Sequence, residues 1–269
     1  MTEKYMKKYL KVLKVSMVNE MEYRFNFFST IIFSLIPFAT NVLLWVAIYS
    51  GSKNTFDMSM KQTVTYYFSV FVVENLINNN TVYNIGTEIK NGEISKYLIK
   101  PCNYRIYSFC KTLAHNLLFL IIGIIPISAI SIVLNGYIQF RFSVFHGVSF
   151  LISLVIGYFV NFYLNYLMSS LAFFISEVTS LFVTVDVLKG LVTGKLIPLS
   201  YFPKALSSVL VITPFQFICY LPVMILVGDY SNQTIIYNLL LGTIWIIILH
   251  GLCKLAWKIG MKKYSSYGG

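Results

Sequence analysis

The sequence predicts an all-α polytopic membrane protein. It has six transmembrane helices, an N-terminal interfacial amphipathic helix and an outer re-entrant helical hairpin before the last span. Three observations lead there. Of the 269 residues, 57% are hydrophobic and 12% charged, with a mean hydropathy of +0.71, whereas soluble domains carry about 25% charged residues. The apolar residues gather in runs that can cross a bilayer, at roughly 20 residues per span. The basic residues, source of a net charge of +11, flank those runs. That placement fits membrane orientation and anionic headgroups better than nucleic acid. Aromatic residues at 17% argue against disorder, and four scattered cysteines argue against a disulfide scaffold.

Residues 1–24 form the first element. Lys4, Lys7, Lys8, Lys11 and Lys14 recur at three- and four-residue steps, and Met6, Leu10, Leu13 and Met17 recur on another face. This is a basic amphipathic helix suited to the inner membrane surface; a plain solvated helix is the alternative. A secretory signal would carry an apolar run ending at small residues. Here the first apolar run, 25–49, is long enough to span. Span one covers about 25–50 with a tolerated proline, Pro37, and a polar loop follows over 51–62. Span two begins near Thr63 and turns polar at Glu74, Asn75, Asn78, Asn79 and Asn80. Spans three and four cover about 109–134 and 145–175, span five about 178–192, and the last about 235–257. The transmembrane domain is thus 25–257, with a cytoplasmic tail over 258–269.

Residues 205–227 are apolar enough to count as a seventh crossing, but Pro203 stands just before them and Pro214 and Pro222 interrupt them. Charge decides between the two counts. With six crossings and both termini inside, fifteen Lys/Arg lie inside: six in residues 1–24, five from Lys90 to Lys111 and four from Lys254 to Lys263. Five lie outside: Lys53, Lys61, Arg141, Lys195 and Lys204. A seventh crossing would place the last four on the outside, against the positive-inside rule. So 196–228 is expected to dip into the outer leaflet and return, hinged at Thr213–Pro214.

The segment Gly86–Pro101 reads GTEIKNGEISKYLIKP. Ile85 and Ile89 are one turn apart, Asn91–Gly92 signals a turn, and Ile94, Tyr97 and Leu98 resume an apolar face that Pro101 ends. This is an amphipathic element beneath the membrane, presenting Glu88, Lys90, Glu93 and Lys96 to water or a partner; a helix resting on lipid is the alternative.

The connector resembles that between spans two and three of type-2 ABC exporter permeases, which ends in a "YLIKP"-like tail. Thr193–Leu206 (TGKLIPLSYFPKAL), Pro214–Phe215, Tyr220–Leu221–Pro222 and Gly228 carry the same resemblance, which covers nearly the whole chain. It implies a coupling helix at the connector, with Glu88, Ile89, Lys90, Gly92, Glu93, Ile94, Tyr97 and Leu98 meeting a separate ABC ATPase subunit. It also implies an outer gate at Pro198, Phe202, Pro203, Pro214, Phe215 and Pro222, and a second permease, the same or a related chain. Drug- and peptide-type exporters of the bacterial inner membrane are the nearest analogues. The substrate class, peptide, drug or lipid-like, follows only from an apolar path with a few polar groups.

No GxxxxGK[ST] loop occurs, so ATP and Mg belong to the partner subunit and this chain is not itself an enzyme. Cys102, Cys110, Cys219 and Cys253 form no CxxC pair, and His115, His146 and His250 stand alone. Catalytic and metal sites therefore have no support. Inside the membrane, Glu74, Asn75 and Asn78 mark a polar substrate path, a subunit interface or snorkelling at the inner headgroups. Asp186 and Lys189, one turn apart, are expected to pair, or else to line the pathway or a dimer interface. Asn161, Tyr163 and Asn165 suit interhelical hydrogen bonds. Trp45, Tyr66, Tyr67 and Trp257 read as interface anchors. An ATP-independent secondary transporter or channel is the competing function; it needs an ionisable relay, and no inverted repeat is visible.

Overall fold

The computed structural model describes residues 2–51, 58–77, 79, 81–100, 102–140, 143–175, 178–228 and 230–264. All regular structure among the described residues is helical: α1 (Thr2–Glu22), α2 (Arg24–Gly51), α3 (Met60–Ile77), α4 (Thr81–Lys90), α5 (Ser95–Leu98), α6 (Tyr104–Ile122), α7 (Ile124–Val133), α8 (Val144–Ser169), α9 (Thr179–Val192), α10 (Lys204–Leu210), α11 (Tyr220–Val227) and α12 (Asn232–Lys263). Three 3-10 turns, Ser170–Phe173, Leu199–Tyr201 and Pro214–Phe217, extend or join them.

Three helices are each long and apolar enough to cross a membrane: Phe25–Gly51, Val144–Phe173 and Asn232–Lys263. Pro37 sits within the continuous α2. The pair α6 and α7 makes a fourth, bent by 46°. The bend falls at Gly123, where a Cβ would collide with the ring of Phe119.

The other two expected spans differ. α3 has 18 residues and breaks before α4. It lies among α2, α6, α8 and α11, and Thr63 through Phe71 are all buried. A helix walled in by protein needs no lipid-facing surface, so it tolerates Thr63, Thr65 and Ser69. α9 has 14 residues, a rise of about 21 Å against a hydrocarbon core of about 30 Å. By itself it is too short for the full crossing expected of 178–192. The chain turns at Gly194, in the left-handed region at φ 80°, and Leu196 N–H returns to the Gly190 carbonyl.

α8 and α12 lie side by side in the same direction. Gly242 faces Ile156, His250 faces Tyr163 at 3.1 Å, and Gly260 faces Phe173. Between them packs Phe217 of the segment 196–228. A Cβ at Gly157 would meet the Phe217 carbonyl, and one at Gly242 would meet Ile156 and the Phe217 ring. Gly157 is about 20 Å into α8 and Gly242 about 15 Å into α12, at 1.5 Å per residue. The 3-10 turn at Pro214–Phe217 therefore lies about half of the way along α8 and a third of the way along α12. α11 then returns, buried along nearly its whole length. Pro222 falls in its first turn, where the missing N–H is not needed. Gly228, at φ 86°, ends it in the left-handed conformation.

α1 packs along α6. The Asn103 N–H donates to the Tyr9 hydroxyl at 2.9 Å, and His115 meets Glu20 at 3.1 Å. Contacts that advance from 9 to 20 on one helix and from 103 to 115 on the other require the two to run in parallel. Met6, Leu10, Val15 and Val18 of α1 remain exposed.

Candidate functional site

Two regions carry the polar chemistry. The first is the connector. α4 ends at Lys90, the chain reverses at Gly92 with φ 73°, and Ile94 N–H donates back to the Glu88 carbonyl. The left-handed geometry explains the glycine. Ile85, Ile89 and Ile94 are buried with Tyr104, Phe162, Tyr166 and Cys253. Trp257 stacks on Tyr104 at 5.3 Å, and Tyr97 lies 4.8 Å from Tyr107. The Tyr104 hydroxyl donates to Glu88 at 2.5 Å, and Lys111 stands 3.4 Å from the same carboxylate. The connector is thereby fixed to α6, α8 and α12. Burial pushes the Tyr97 hydroxyl well above the ordinary tyrosine range, with the Tyr107 hydrogen bond adding to the effect, so it stays neutral.

This sorts the residues expected to meet a partner. Ile89 and Ile94 face the chain's own core, and Glu88, with its side chain 16% exposed, is held by Tyr104 and Lys111. Lys90, Lys96 and Leu98 are exposed, and Glu93 lies 3.1 Å from Lys96 with both side chains largely in solvent. Ile99 is 85% exposed. The sequence reading passed over Ile99, although an isoleucine beyond the apolar stripe of the helix was the available signal. Pro101 lies outside the described residues.

The second region is inside the bundle. Glu74 of α3 pairs with Lys195, just past the Gly194 turn. Lys195 is an outer charge in the six-span layout, yet its ammonium reaches two turns deeper along α3 than Tyr66, which donates to the Gly194 carbonyl at 2.6 Å. The flexible lysine stem makes that reach. Lys189 does not pair with Asp186 as expected. It donates to the side-chain oxygens of Asn161 at 2.5 Å and Asn165 at 3.0 Å, while Asp186 is exposed on α9. The asparagines are tied onward, Asn161 to the Ile77 carbonyl at 2.9 Å and Asn165 to Asn79 at 3.1 Å. Asn75 donates to the Phe71 carbonyl of its own helix at 2.8 Å, and Asn78 lies outside the described residues.

Glu74 and Lys195 line two cavities at once. One, of about 140 Å³, also touches Thr30, Ser34 and His115; the other, of about 50 Å³, also touches Asn161, Asp186 and Lys189. The ion pair is the partition between them.

Among the expected gate residues, Pro198, Pro214 and Pro222 are buried, Phe202 and Phe215 half-buried and Pro203 exposed. The aromatic anchors are corrected. Tyr66, Tyr67 and Trp45 are buried, and Trp257 packs on Tyr104 and Phe173. Trp45 donates to the Tyr67 hydroxyl at 2.6 Å, which donates to the Leu196 carbonyl at 2.9 Å. These rings hold the turn after α9 rather than the lipid boundary. Among the described residues, no group of three or more His, Cys, Asp or Glu could hold a metal ion.

Three long apolar helices and a bent fourth pair mark an integral membrane protein of the polytopic helical class. The chain belongs to the ABC-2 family: the family model described as ABC-2 family transporter protein matches residues 35–268. It is accordingly a membrane permease of an ABC-2 transporter, and membership implies an ATPase partner in general. No curated protein and no solved structure gives a match.

Proposed function

We propose that this chain is the permease subunit of an ATP-driven exporter of the bacterial inner membrane, with both termini cytoplasmic and six crossings. It moves an amphipathic substrate, peptide, drug or lipid-like, outward. Separate ATPase subunits, which hold ATP and Mg, dock on the connector within 86–101, and a second permease completes the pathway.

The observation that carries this reading is the two-sidedness of the connector. One side is fastened to three long helices through Ile85, Ile89, Ile94 and the Tyr104–Trp257 stack. The other side offers Lys90, Lys96, Leu98 and Ile99. A rigid element bonded to the bundle and open on its far face can transmit a push from a soluble partner. The exposed charge is mainly basic, so the partner cleft should be acidic around an apolar centre. The segment 196–228 forms the outer gate, and the Glu74–Lys195 partition lies below it.

The test is gentle purification of the tagged chain from native membranes, with its companions identified by mass spectrometry and ATPase activity assayed. A stoichiometric subunit with a Walker motif supports the exporter, and a second permease in the same eluate distinguishes homo- from heterodimer. A chain that emerges alone without ATPase activity would favour the secondary transporter, for which Glu74, Lys195 and Lys189 would be the relay.

A further inference from the structure

Arg105, in the first turn of α6, folds back onto the bundle. Its guanidinium lies over the Tyr166 ring at 5.6 Å, and its Nη1 stands 3.3 Å from His250 Nδ1. The Tyr163 hydroxyl lies 3.1 Å from the same nitrogen. A guanidinium only donates hydrogen bonds, so Nδ1 is the accepting nitrogen and the ring hydrogen sits on Nε2. His250 is exposed, and its Nε2 bonds to none of the described residues. Lys254, one turn further along α12, is exposed on the same stripe. Among the described residues no carboxylate pairs with Arg105 or Lys254. The Nε of Arg105 is buried without a hydrogen-bond partner.

We propose that Arg105, His250 and Lys254 hold the phosphate of an anionic phospholipid at the junction of α6 and α12. Two cations and an imidazole N–H supply the donors, and charge-assisted bonds to phosphate are strong. Position favours a lipid phosphate over a free one. Lys254 is the first charge met along α12 from Asn232, and His250 lies one turn, about 6 Å, further into that apolar span. A free phosphate would surrender its water to reach that depth, whereas a headgroup phosphate already sits at the edge of the hydrocarbon. Ile247, on the same stripe of α12 as His250, is 71% exposed, and Ile106, next to Arg105, is 43% exposed. Both offer apolar surface to acyl chains.

The site also bears on the connector. Arg105 directly follows Tyr104, which bonds Glu88 and stacks on Trp257 of α12. A phosphate shared by Arg105 and Lys254 would tie the first turn of α6 to α12 a second time, and anionic lipid would then hold the connector more firmly against the bundle. Only the leaflet, the inner one, rests on the proposed orientation; the site itself does not depend on an ATPase.

The experiment is native mass spectrometry of the purified full chain with added phosphatidylglycerol, phosphatidylcholine or glycerol phosphate. Three chains are compared: the wild type, the double variant Arg105→Gln/Lys254→Gln, and the control Lys258→Gln/Lys262→Gln, which loses the same charge further along α12. The wild type and the control should retain phosphatidylglycerol over phosphatidylcholine by roughly tenfold or more, given two basic groups acting on one anionic headgroup. The first double variant should lose that preference. A preference unchanged in that variant, or lost equally in the control, overturns the site. So does displacement of the lipid by glycerol phosphate at equal concentration, which would make it a free-phosphate site. A photoactivatable phosphatidylglycerol, used on the wild-type chain, guards against a variant that does not fold. Labelling within 104–110 and 247–254 is expected, and labelling confined to other segments overturns the proposal.

Discussion

Removing one member of the Glu74–Lys195 pair should destabilise the bundle more than removing both. Glu74→Gln leaves the Lys195 ammonium against α3 with an amide in place of its counter-charge. Lys195→Met leaves the Glu74 carboxylate between two cavities. Stripping one partner from a fully buried pair costs about 3–5 kcal/mol, and an exposed pair contributes about 0.2–1 kcal/mol. The side chains are 27% and 34% exposed, so the expected cost lies between those limits, about 2 kcal/mol per single substitution. For a chain of this size about 1 kcal/mol moves the midpoint by roughly 2–4 °C, so each single variant should unfold about 4–8 °C lower in mild detergent. The double variant Glu74→Gln/Lys195→Met should recover at least half of the larger loss, because no charge is then stranded. The exchange Glu74→Lys/Lys195→Glu should recover more. Single shifts below about 1 °C, or a double variant whose loss equals the sum of the singles, would refute the pair as an energetic link between α3 and the turn after α9.

Three further predictions follow from the same geometry. Asn161→Leu should lower the unfolding midpoint more than Lys189→Met, because the first strands an ammonium among apolar helices and the second removes it; equal losses would deny Lys189 its place in the network. Gly157→Leu should cost about 1–3 kcal/mol by overpacking against Phe217, with faster hydrogen exchange over 214–220 than at the ends of α8; unchanged exchange there would mean that the 3-10 turn does not press on Gly157. Glu88→Lys faces Lys111 with a like charge, and Gly92→Pro cannot adopt the left-handed turn. Both should expose the connector to protease and separate ATP hydrolysis from transport while membrane insertion persists, and normal transport by both variants would sink the coupling role.

The spans that face lipid were legible because lipid demands unbroken apolar runs, and α2, α8 and α12 supply them. The connector was legible because its isoleucine spacing and Asn91–Gly92 turn are local signals. The extent of α9 was legible too, 178–192 against Thr179–Val192, but not the turn that follows it, because Gly194 is recognisable as a turn only once Tyr66 and Tyr220 are seen beside it. The partners of the buried charges were also hidden. Sequence proximity favoured Asp186 for Lys189, but the lysine points towards α8, and Glu74 finds its cation 121 residues away. Likewise the apolar stripe of the connector was visible, but Ile89 and Ile94 belong to the chain's own core, and only the fold separates them from the exposed Ile99.

The central claim is that the outer face of the connector seats a separate ATPase while its inner face holds the permease helices. Photo-crosslinking in native membranes tests it most directly, with a photoreactive amino acid placed at Lys96, at Ile99 and, as an inward control, at Ile94. A crosslink is expected from Lys96 and Ile99 to a soluble subunit carrying a Walker motif, and none to that subunit from Ile94. Crosslinks from Lys96 and Ile99 to lipid alone, or equal capture of the subunit from Ile94, would contradict it.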